Sequence, residues 1–423
     1  MFTILPFIWI VKHPSSWSLA SENIPAIVSY ISSVIGFSGI MCLLWMYILG
    51  TRTVAGLYFR DLVWTLKVHR WLGTYGIVAV FLHPFLMAYV YAENVFTYWL
   101  TPRLGTQFEQ HITYGRLAFV LLVTIWVTSA IIRSKIKYRP WKYIHYLTYI
   151  ILPLSLLHIH ETGVSMQLPL VQFYFYVTIF VFIVITVLRA RYFLGFGKTM
   201  FDIAEHLQIA KNIYMLTLHQ PSKRLSIRPG QYVYVQRHLL SEEHPFSVAD
   251  YDPDTGNIRL VYKVFGSFTE KLSKLQKGEV ILVDGPYGTF TEQLVMDQNK
   301  PTIFIAGGIG ITPFIKHIER RSSFNNTWLF YSVPDSNSSI YNDVFVRLLA
   351  DKYVRILSKE TQPQQENDCL GHLNVNLISD NVKNLGEYLF FLCGPKNMIE
   401  DIKSQLIESG VEKVQIHAEE FNF

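Results

Sequence analysis

Long apolar runs dominate the first 190 positions of the chain, and charged residues stand mainly between these runs. A helix needs about 20 apolar residues to cross the hydrocarbon core of a bilayer. Five runs have a length of this order, so the pattern predicts a helical membrane domain over residues 1–190. The five runs lie near residues 26–50, 64–91, 114–133, 141–160 and 170–189.

The opening stretch MFTILPFIWIV is also apolar but too short to span a bilayer. It is the remainder of a first helix, an interfacial segment, or an uncleaved signal-like start without a basic leader or a cleavage site. The predicted bundle therefore has five or six helices.

From about residue 201 the long runs give way to short β-rich runs broken by Gly, Pro and Asp. Three of them, at 227–236, 244–251 and 258–272, predict strands of a small antiparallel barrel. This barrel is assigned to residues 201–297.

From residue 301 the order becomes strand, glycine-rich turn and helix, in PTIFIAGGIGITPFIKHIERR. Two further strands are predicted at 328–333 and 388–395, the second leading into a helix. Strands that alternate with helices indicate a parallel sheet that binds its ligand at the carboxyl ends of the strands. The expected α/β domain covers residues 298–423.

Charge is divided unevenly between the two halves of the chain. Residues 1–190 carry 13 Lys and Arg against five acids, whereas residues 191–423 carry 24 against 27. The net charge of +5 therefore comes from the membrane half and does not indicate a nucleic-acid partner. The basic residues of the membrane half cluster at 51–70 and 133–142, which predicts that these loops and everything after Arg189 are cytoplasmic.

Histidines stand inside the apolar runs, where a titratable group needs a compensating partner. His69 and His83 are 14 residues apart in the second run, a rise of ~21 Å and nearly four whole turns. The fourth run has His145 at its cytoplasmic end and His158 and His160 at the other. Both runs are expected to point outward, so that His69 is level with His145, and His83 with His158 or His160.

Two imidazole pairs at two depths suit two stacked haems better than isolated packing histidines. A carboxylate-rich metal site is disfavoured because the spans hold almost no acids. Thirteen residues of ideal helix rotate by ~1300°, so geometry alone favours His160 over His158 as the partner of His145 on one face. Pro153 lies between them, however, and proline commonly kinks or rewinds a helix.

The turn AGGIGITPF after a buried strand favours a bound pyrophosphate, because glycines admit a close backbone approach and a helix N-terminus attracts negative charge. A turn that serves packing alone is the alternative, and no Walker sequence follows. The residues concerned are Gly307, Gly308, Gly310, Thr312 and Pro313.

Seven motifs, RPGQY, HPFS, GSFT, GPYG, GGIGITP, CGP and a C-terminal aromatic, occur in an order that resembles the ferredoxin–NADP reductase superfamily. Joined to a membrane domain with paired histidines, they resemble the transmembrane NADPH oxidase and ferric reductase family over nearly the whole chain. The family spaces its histidine pairs by 14 and 13 residues. The resemblance therefore implies that His69, His83, His145 and His158 bind two haems b, with His160 as the alternative to His158.

The resemblance also implies roles in the soluble half. Ser247 would lie near the reactive flavin nitrogen, Cys393 would belong to the motif that closes over the nicotinamide, and Phe423 would stack on the flavin until nicotinamide displaces it. FAD contacts are implied for His244, Pro245, Phe246, Ser247, Lys263, Gly266, Ser267, Phe268 and Thr269. Nicotinamide nucleotide contacts are implied for Gly285, Pro286, Tyr287, Gly288, the glycine turn, Gly394 and Pro395.

The implied activity is transmembrane electron transfer from cytosolic NADPH or NADH through FAD and two haems to an extracytoplasmic acceptor, in the plasma membrane. The expected acceptor is O2, giving superoxide, and the alternatives are a ferric chelate or a partner protein. Both nucleotides stay open, because no Arg occurs at 332–335, where a 2′-phosphate would be held.

Overall fold

A computed structural model describes two compact units, Met1–Arg191 and Tyr192–Phe423. Each unit is considered by itself. The described residues are 24–59, 61–92, 101–162, 166, 169–220, 225–296, 300–321, 324 and 326–421.

The first unit is helical. Four helical segments among its described residues are long and apolar enough to cross a membrane, namely Ile24–Gly50, Leu62–Tyr91, Gln107–Ile131 and Pro169–Phe193. The second and third of these each contain a π-helical turn, at Leu72–Gly76 and Val127–Ile131. The α-helices of this unit are α1 (Ile24–Gly50), α2 (Arg52–Tyr58), α3 (Leu62–Trp71), α4 (Val78–Tyr91), α5 (Gln107–Trp126), α6 (Tyr138–His145), α7 (Thr148–Thr162) and α8 (Pro169–Phe193).

The run predicted over 141–160 forms two consecutive helices, α6 and α7, rather than one continuous helix. At the junction, the backbone N–H groups of Leu147, Tyr149 and Ile150 each donate to a carbonyl three residues earlier. Pro153, inside α7, has no N–H for the next bond of the ladder. Bonds of this shorter type turn the chain by about 120° per residue rather than about 100°.

α7 lies at the centre of the apolar packing in this unit. Leu152 and Leu156 pack with α1 and α8, whereas Ile151 packs with Ala118 and Leu122 of α5. Burial of apolar side chains on several sides fixes the rotation of α7, and this rotation decides which of its histidines turn inward.

The second unit begins with a closed barrel of antiparallel strands in the order β1-β2-β5-β4-β3-β6, which confirms the predicted barrel. The prediction of one strand over 258–272 is wrong, because Gly266 adopts φ +86° and a short helix follows. The barrel strands are β1 (Thr199–Ala210), β2 (Ile213–His219), β3 (Tyr232–Gln236), β4 (Glu243–Tyr251), β5 (Ile258–Lys263) and β6 (Val280–Tyr287), and the helices are α9 (Ser267–Leu272) and α10 (Glu292–Met296).

A parallel sheet follows, in the order β10-β9-β8-β7-β11-β12, and confirms the predicted α/β domain. The strand order reverses between β7 and β11, so a crevice is expected at the carboxyl ends of these two strands. The strands are β7 (Thr302–Gly307), β8 (Thr327–Val333), β9 (Tyr353–Leu357), β10 (Asp368–Leu370), β11 (Leu389–Pro395) and β12 (Ile416–Phe421), and the α-helices are α11 (Thr312–Glu319), α12 (Asn342–Leu349), α13 (Val375–Asn381) and α14 (Lys396–Glu408).

Candidate functional site

The first histidine pair joins α3 to the end of α6. The ring centroids of His69 and His145 are 6.2 Å apart, and the ring planes are inclined by 72°. Nδ1 of His69 lies 2.9 Å from the carbonyl oxygen of Met46 on α1, which accepts its hydrogen. His145 stacks on Trp141 at a centroid distance of 4.9 Å, and its Nδ1 lies 3.4 Å from the Ser129 hydroxyl.

The second pair, between α4 and α7, repeats this arrangement. The centroids of His83 and His158 are also 6.2 Å apart, with the planes again at 72°. Nδ1 of His83 lies 2.8 Å from the carbonyl oxygen of Ser32, and Nδ1 of His158 lies 2.9 Å from the carbonyl oxygen of His111. In both pairs the Nδ1 atoms therefore contact residues of the flanking helices α1 and α5 or of the π-helical turn after α5.

These residues fit an iron held between two imidazoles. Where Nδ1 donates to a backbone carbonyl, Nε2 is the nitrogen left to bind a metal, and the hydrogen bond fixes the ring orientation. Two metal–imidazole bonds of about 2 Å in line, together with the ring radii, place the centroids about 6 Å apart. Among the described residues, no group of three or more His, Cys, Asp or Glu side chains could hold a metal without such a cofactor.

Glycines on the flanking helices make room for three of the four rings. A Cβ atom on Gly36 would lie 2.9 Å from Nδ1 of His83, and one on Gly115 would lie 2.6 Å from Nδ1 of His158. At Gly50 the nearest atom, Cε1 of His69, would be 3.1 Å away. Since real Cβ contacts are rarely this short, each ring occupies a space that a larger residue would fill.

The structure brings His158, and not His160, against His83. The side chain of His160 is 49% exposed, and its Nδ1 lies 3.1 Å from Oε1 of Glu161. The tight turn at the start of α7 adds rotation in the direction that brings His158 towards the face of His145. The assignment of a haem iron to His158 stays a prediction, whereas the proximity of the two rings is a feature of the fold.

In the second unit, the two motifs implied for FAD lie side by side. His244, in the HPFS segment of β4, stacks on Phe268 of the GSFT segment at a centroid distance of 4.0 Å. Phe246 also packs near Phe268, at 6.1 Å. Ser247 is half-buried and pairs with Tyr232 on the neighbouring strand β3.

The start of α9 is suited to an anion. Gly266 precedes the helix at φ +86°, and no atom lies within 4 Å of the position where its Cβ would be. The Thr269 hydroxyl accepts from the backbone N–H of Phe265 and donates to the carbonyl of Gly266, which holds the turn in place. No side-chain hydrogen bond caps the helix, so the amides of its first turn are left for an anion such as a phosphate group. Lys263, at the end of β5, is exposed.

The GPYG segment ends β6 among tyrosines. The ring of Tyr287 lies 6.1 Å from that of Tyr232, and its hydroxyl donates to Asp284 at 2.8 Å. Gly288 has φ +103° and faces the ring of Tyr232, which a Cβ atom would meet at 3.1 Å. The peptide bond between Gly285 and Pro286 is cis.

The glycine turn and the CGP segment meet at the carboxyl ends of β7 and β11. A Cβ atom on Gly310 would clash with the carbonyl oxygen of Cys393, and one on Gly394 would lie 3.1 Å from the backbone of Gly307. The turn continues directly into α11, with Thr312 and Pro313 at the start of that helix. Gly308 adopts φ +56° with open space around its Cβ position, so the backbone is accessible to a ligand there.

Of the two residues Cys393 and Phe423, for which the resemblance implies catalytic roles, the structure describes only Cys393. The side chain of Cys393 is completely buried in the apolar core, and this burial raises the pKa of its thiol well above the usual value. A neutral buried thiol acts in packing rather than as a nucleophile. Phe423 lies outside the described residues.

Comparison with known proteins accounts for this succession of sites. The family model "Ferric reductase like transmembrane component" matches residues 35–156, "FAD-binding domain" matches 199–291 and "Oxidoreductase NAD-binding domain" matches 304–404. The chain has the ferric reductase/NADPH oxidase-type architecture. Its three matched regions are thus similar, in order along the chain, to a membrane component, an FAD-binding domain and an NAD-binding domain.

Curated relatives match part of this ferric reductase-type chain. A Thermotoga maritima homologue of the dihydroorotate dehydrogenase B (NAD(+)) electron transfer subunit is 34% identical over 27% of the chain and 40% of its own length. The Clostridium acetobutylicum electron transfer subunit is 28% identical over 48% of the chain and 74% of its own length. A ferredoxin NADP+ reductase structure from Neisseria gonorrhoeae shares 20% identity, with a TM-score of 0.45, over 53% of the chain and 98% of its own. The match thus spans about two fifths of the first relative.

Sequence reasoning missed the contacts that join the barrel to the parallel sheet in the second unit. Phe290, after β6, packs 5.8 Å from both Phe314 and Phe391. Asp250 of β4 forms an ion pair with Lys316 of α11, with Oδ1 and Nζ 2.8 Å apart. These residues belong to no motif, and an Asp 66 positions before a Lys gives no signal along the chain.

Proposed function

We propose that this oxidoreductase carries electrons from NAD(P)H through FAD and two haems b across a membrane to an acceptor on the far side. The observation that carries the proposal is the double histidine pair, since both pairs join the same two helical segments at a ring separation of 6.2 Å. FAD, when bound, takes up the two electrons of a hydride and gives them up singly, and each haem carries one electron.

The residues of the chain would position the two haems, FAD and the nicotinamide nucleotide. His69 and His145 would hold one iron, and His83 and His158 the other, at a spacing of ~21 Å along the helix axis. With each iron held by two imidazoles, no position would be left for the acceptor to bind it, and the acceptor would be reduced at the haem edge. The uncapped start of α9 and the glycine turn before α11 would hold the pyrophosphates of FAD and the nicotinamide nucleotide.

The orientation and the acceptor are part of the proposal. The basic loops favour a cytoplasmic position for the FAD- and nucleotide-binding domains, and the proposed membrane is the plasma membrane. The proposed acceptor is O2, which gives superoxide, and a ferric chelate is its competitor. The names of the curated relatives, which are electron transfer subunits, favour a second candidate in which the chain passes electrons to a partner protein.

The test uses the full chain in proteoliposomes, with the nucleotide supplied to one side. We expect two six-coordinate haems and one FAD per chain, and cytochrome c reduction that superoxide dismutase abolishes. His83→Leu should lose one haem and superoxide formation, while the variant still reduces a soluble dye with NAD(P)H. Ferrous product from a ferric chelate, without superoxide, would favour the competitor. Low turnover with both would favour the partner protein, and a single haem in the intact chain would overturn the proposal.

A further inference from the structure

Two carboxylates lie close to the sheet edge that carries the glycine turn. Asp335 follows β8 by two residues, and Glu360 follows β9 by three. β8 pairs with β7, and the ends of β8 and β9 are in register, Val333 beside Leu357. The carboxyl ends of parallel strands meet at one edge, so both acids belong to the edge where Gly307–Gly310 turns into α11.

Hydrogen-bond donors of the loop after β8 are engaged by these two acids. Oε1 of Glu360 accepts from the backbone N–H of Ser336 at 2.6 Å and from its hydroxyl at 2.8 Å. Oδ1 of Asp335 accepts from the hydroxyl of Ser338 at 2.8 Å. A backbone N–H and serine hydroxyls in a loop are the groups that would otherwise hold a phosphate, and here carboxylates of the chain itself take their hydrogens.

The cations near these acids do not restore a phosphate site. Arg355 of β9 makes two bonds to Asp368, at 2.7 and 2.9 Å, and both side chains are buried. The neighbouring Lys359 is exposed, and its backbone N–H donates to the carbonyl of Pro334. Lys359 is therefore an exposed cation beside two carboxylates that are held by hydrogen bonds.

The second carboxylate oxygen of Glu360 has no hydrogen-bond donor. This atom, Oε2, is buried. A buried acceptor without a donor is costly unless a ligand supplies one. In dinucleotide sites an acid about 20 residues beyond the glycine turn accepts from the 2′-hydroxyl of the adenosine ribose, and Asp335 stands at a comparable distance from Gly310.

We propose that Asp335 and Glu360 select NADH against NADPH. The inference rests on the proposed function, which puts the dinucleotide at this sheet edge. A ribose 2′-hydroxyl donates to the Oε2 atom of Glu360, whereas a 2′-phosphate brings negative charge to two carboxylates and finds the donors of Ser336 and Ser338 already bonded.

The experiment compares nucleotides on the full chain carrying FAD and haem. We expect kcat/KM for NADH to exceed that for NADPH by about tenfold or more, since one unfavourable charge contact at short range is of that order. In the double variant Asp335→Ser/Glu360→Gln this ratio should fall by about tenfold, mainly through a lower KM for NADPH. Glu408→Gln, at the far end of α14, is the matched control and should keep the wild-type ratio.

A binding measurement separates selectivity from turnover. Calorimetric titration should show that the wild type binds 5′-AMP more tightly than adenosine 2′,5′-bisphosphate, and that the double variant loses this difference. Asp335→Asn alone, with haem and FAD content as a check on folding, covers the case in which the double variant is unstable. An unchanged preference in folded variants, or a wild type that prefers NADPH, overturns the inference and leaves the proposed function intact. Failure to oxidise either nucleotide instead defeats the proposed function.

Discussion

At the scale of single residues, His158 and His160 differ sharply although only one residue separates them. The Nδ1 atom of His158 is bonded to the His111 carbonyl and its ring faces His83, whereas His160 is half-exposed beside Glu161. A ligand needs a fixed ring, and the hydrogen bond to a carbonyl fixes it.

We therefore predict that His158→Leu lowers the haem content of the purified chain towards one half, and that His160→Leu leaves it unchanged. The pyridine haemochrome spectrum, normalised to protein, measures both. The reverse pattern would mean that the rotation of an ideal helix, rather than the tightened start of α7, governs which imidazole binds iron.

At the scale of elements, α5 packs against α7, and Gly115 is the residue of α5 that lies against the ring of His158. Alanine favours a helix over glycine by about 1 kcal/mol, so local propensity alone would predict stabilisation by Gly115→Ala. The new Cβ would instead lie 2.6 Å from Nδ1 of His158. The ring or the helix must then move.

We expect Gly115→Ala to displace His158 and to lower haem retention, with a shifted midpoint potential for the haem that remains. Gly73→Ala is the control, because its Cβ would meet Met46 at an ordinary 3.6 Å. Redox titration of the visible spectrum distinguishes the two variants. Equal haem content and equal potentials in both would show that α5 does not hold the ring.

At the scale of the whole second unit, His317 lies where α11 packs against the barrel. The imidazole is hydrogen-bonded to the backbone of Pro229, and its Nε2 atom is buried without a hydrogen-bond partner. Burial, aided by the charges of Arg321 and Arg320, lowers the pKa of His317 from 6.5 to about 4. The folded unit therefore holds the neutral imidazole, and the unfolded chain binds a proton more readily.

A folded-state pKa below the unfolded value stabilises the fold above pH 6.5, and this contribution is lost as the pH falls towards 4. We predict that His317→Gln flattens this part of the pH profile, which in the wild type amounts to about 3 kcal/mol. The release of FAD on heating, followed by flavin fluorescence between pH 4.5 and 8, measures the effect. His238→Gln, at an exposed position, should keep the wild-type profile. A wild-type slope in His317→Gln would place the acid sensitivity elsewhere.

Local and periodic patterns determined much of this protein from the sequence alone. The length of the apolar runs located the membrane helices, and the alternation of strands and helices identified the parallel sheet. Both follow from the repeat of a helix or strand, which acts over a few neighbouring residues. The spacing of His69 and His83, and the order of the short motifs, likewise lie along the chain and indicated where haem, FAD and the nucleotide would bind.

Tertiary structure decided what depends on residues far apart in the chain. Whether His158 or His160 faces His83 follows from the packing of α7 and the tight turn before it. The segment SFTEKL is a helix because Gly266 turns the chain out of the barrel. The bonds from Ser336 to Glu360 cross 24 positions, and no local pattern announces them. Burial and hydrogen bonding between distant segments outweigh local propensity at such positions, so only the folded chain settles them.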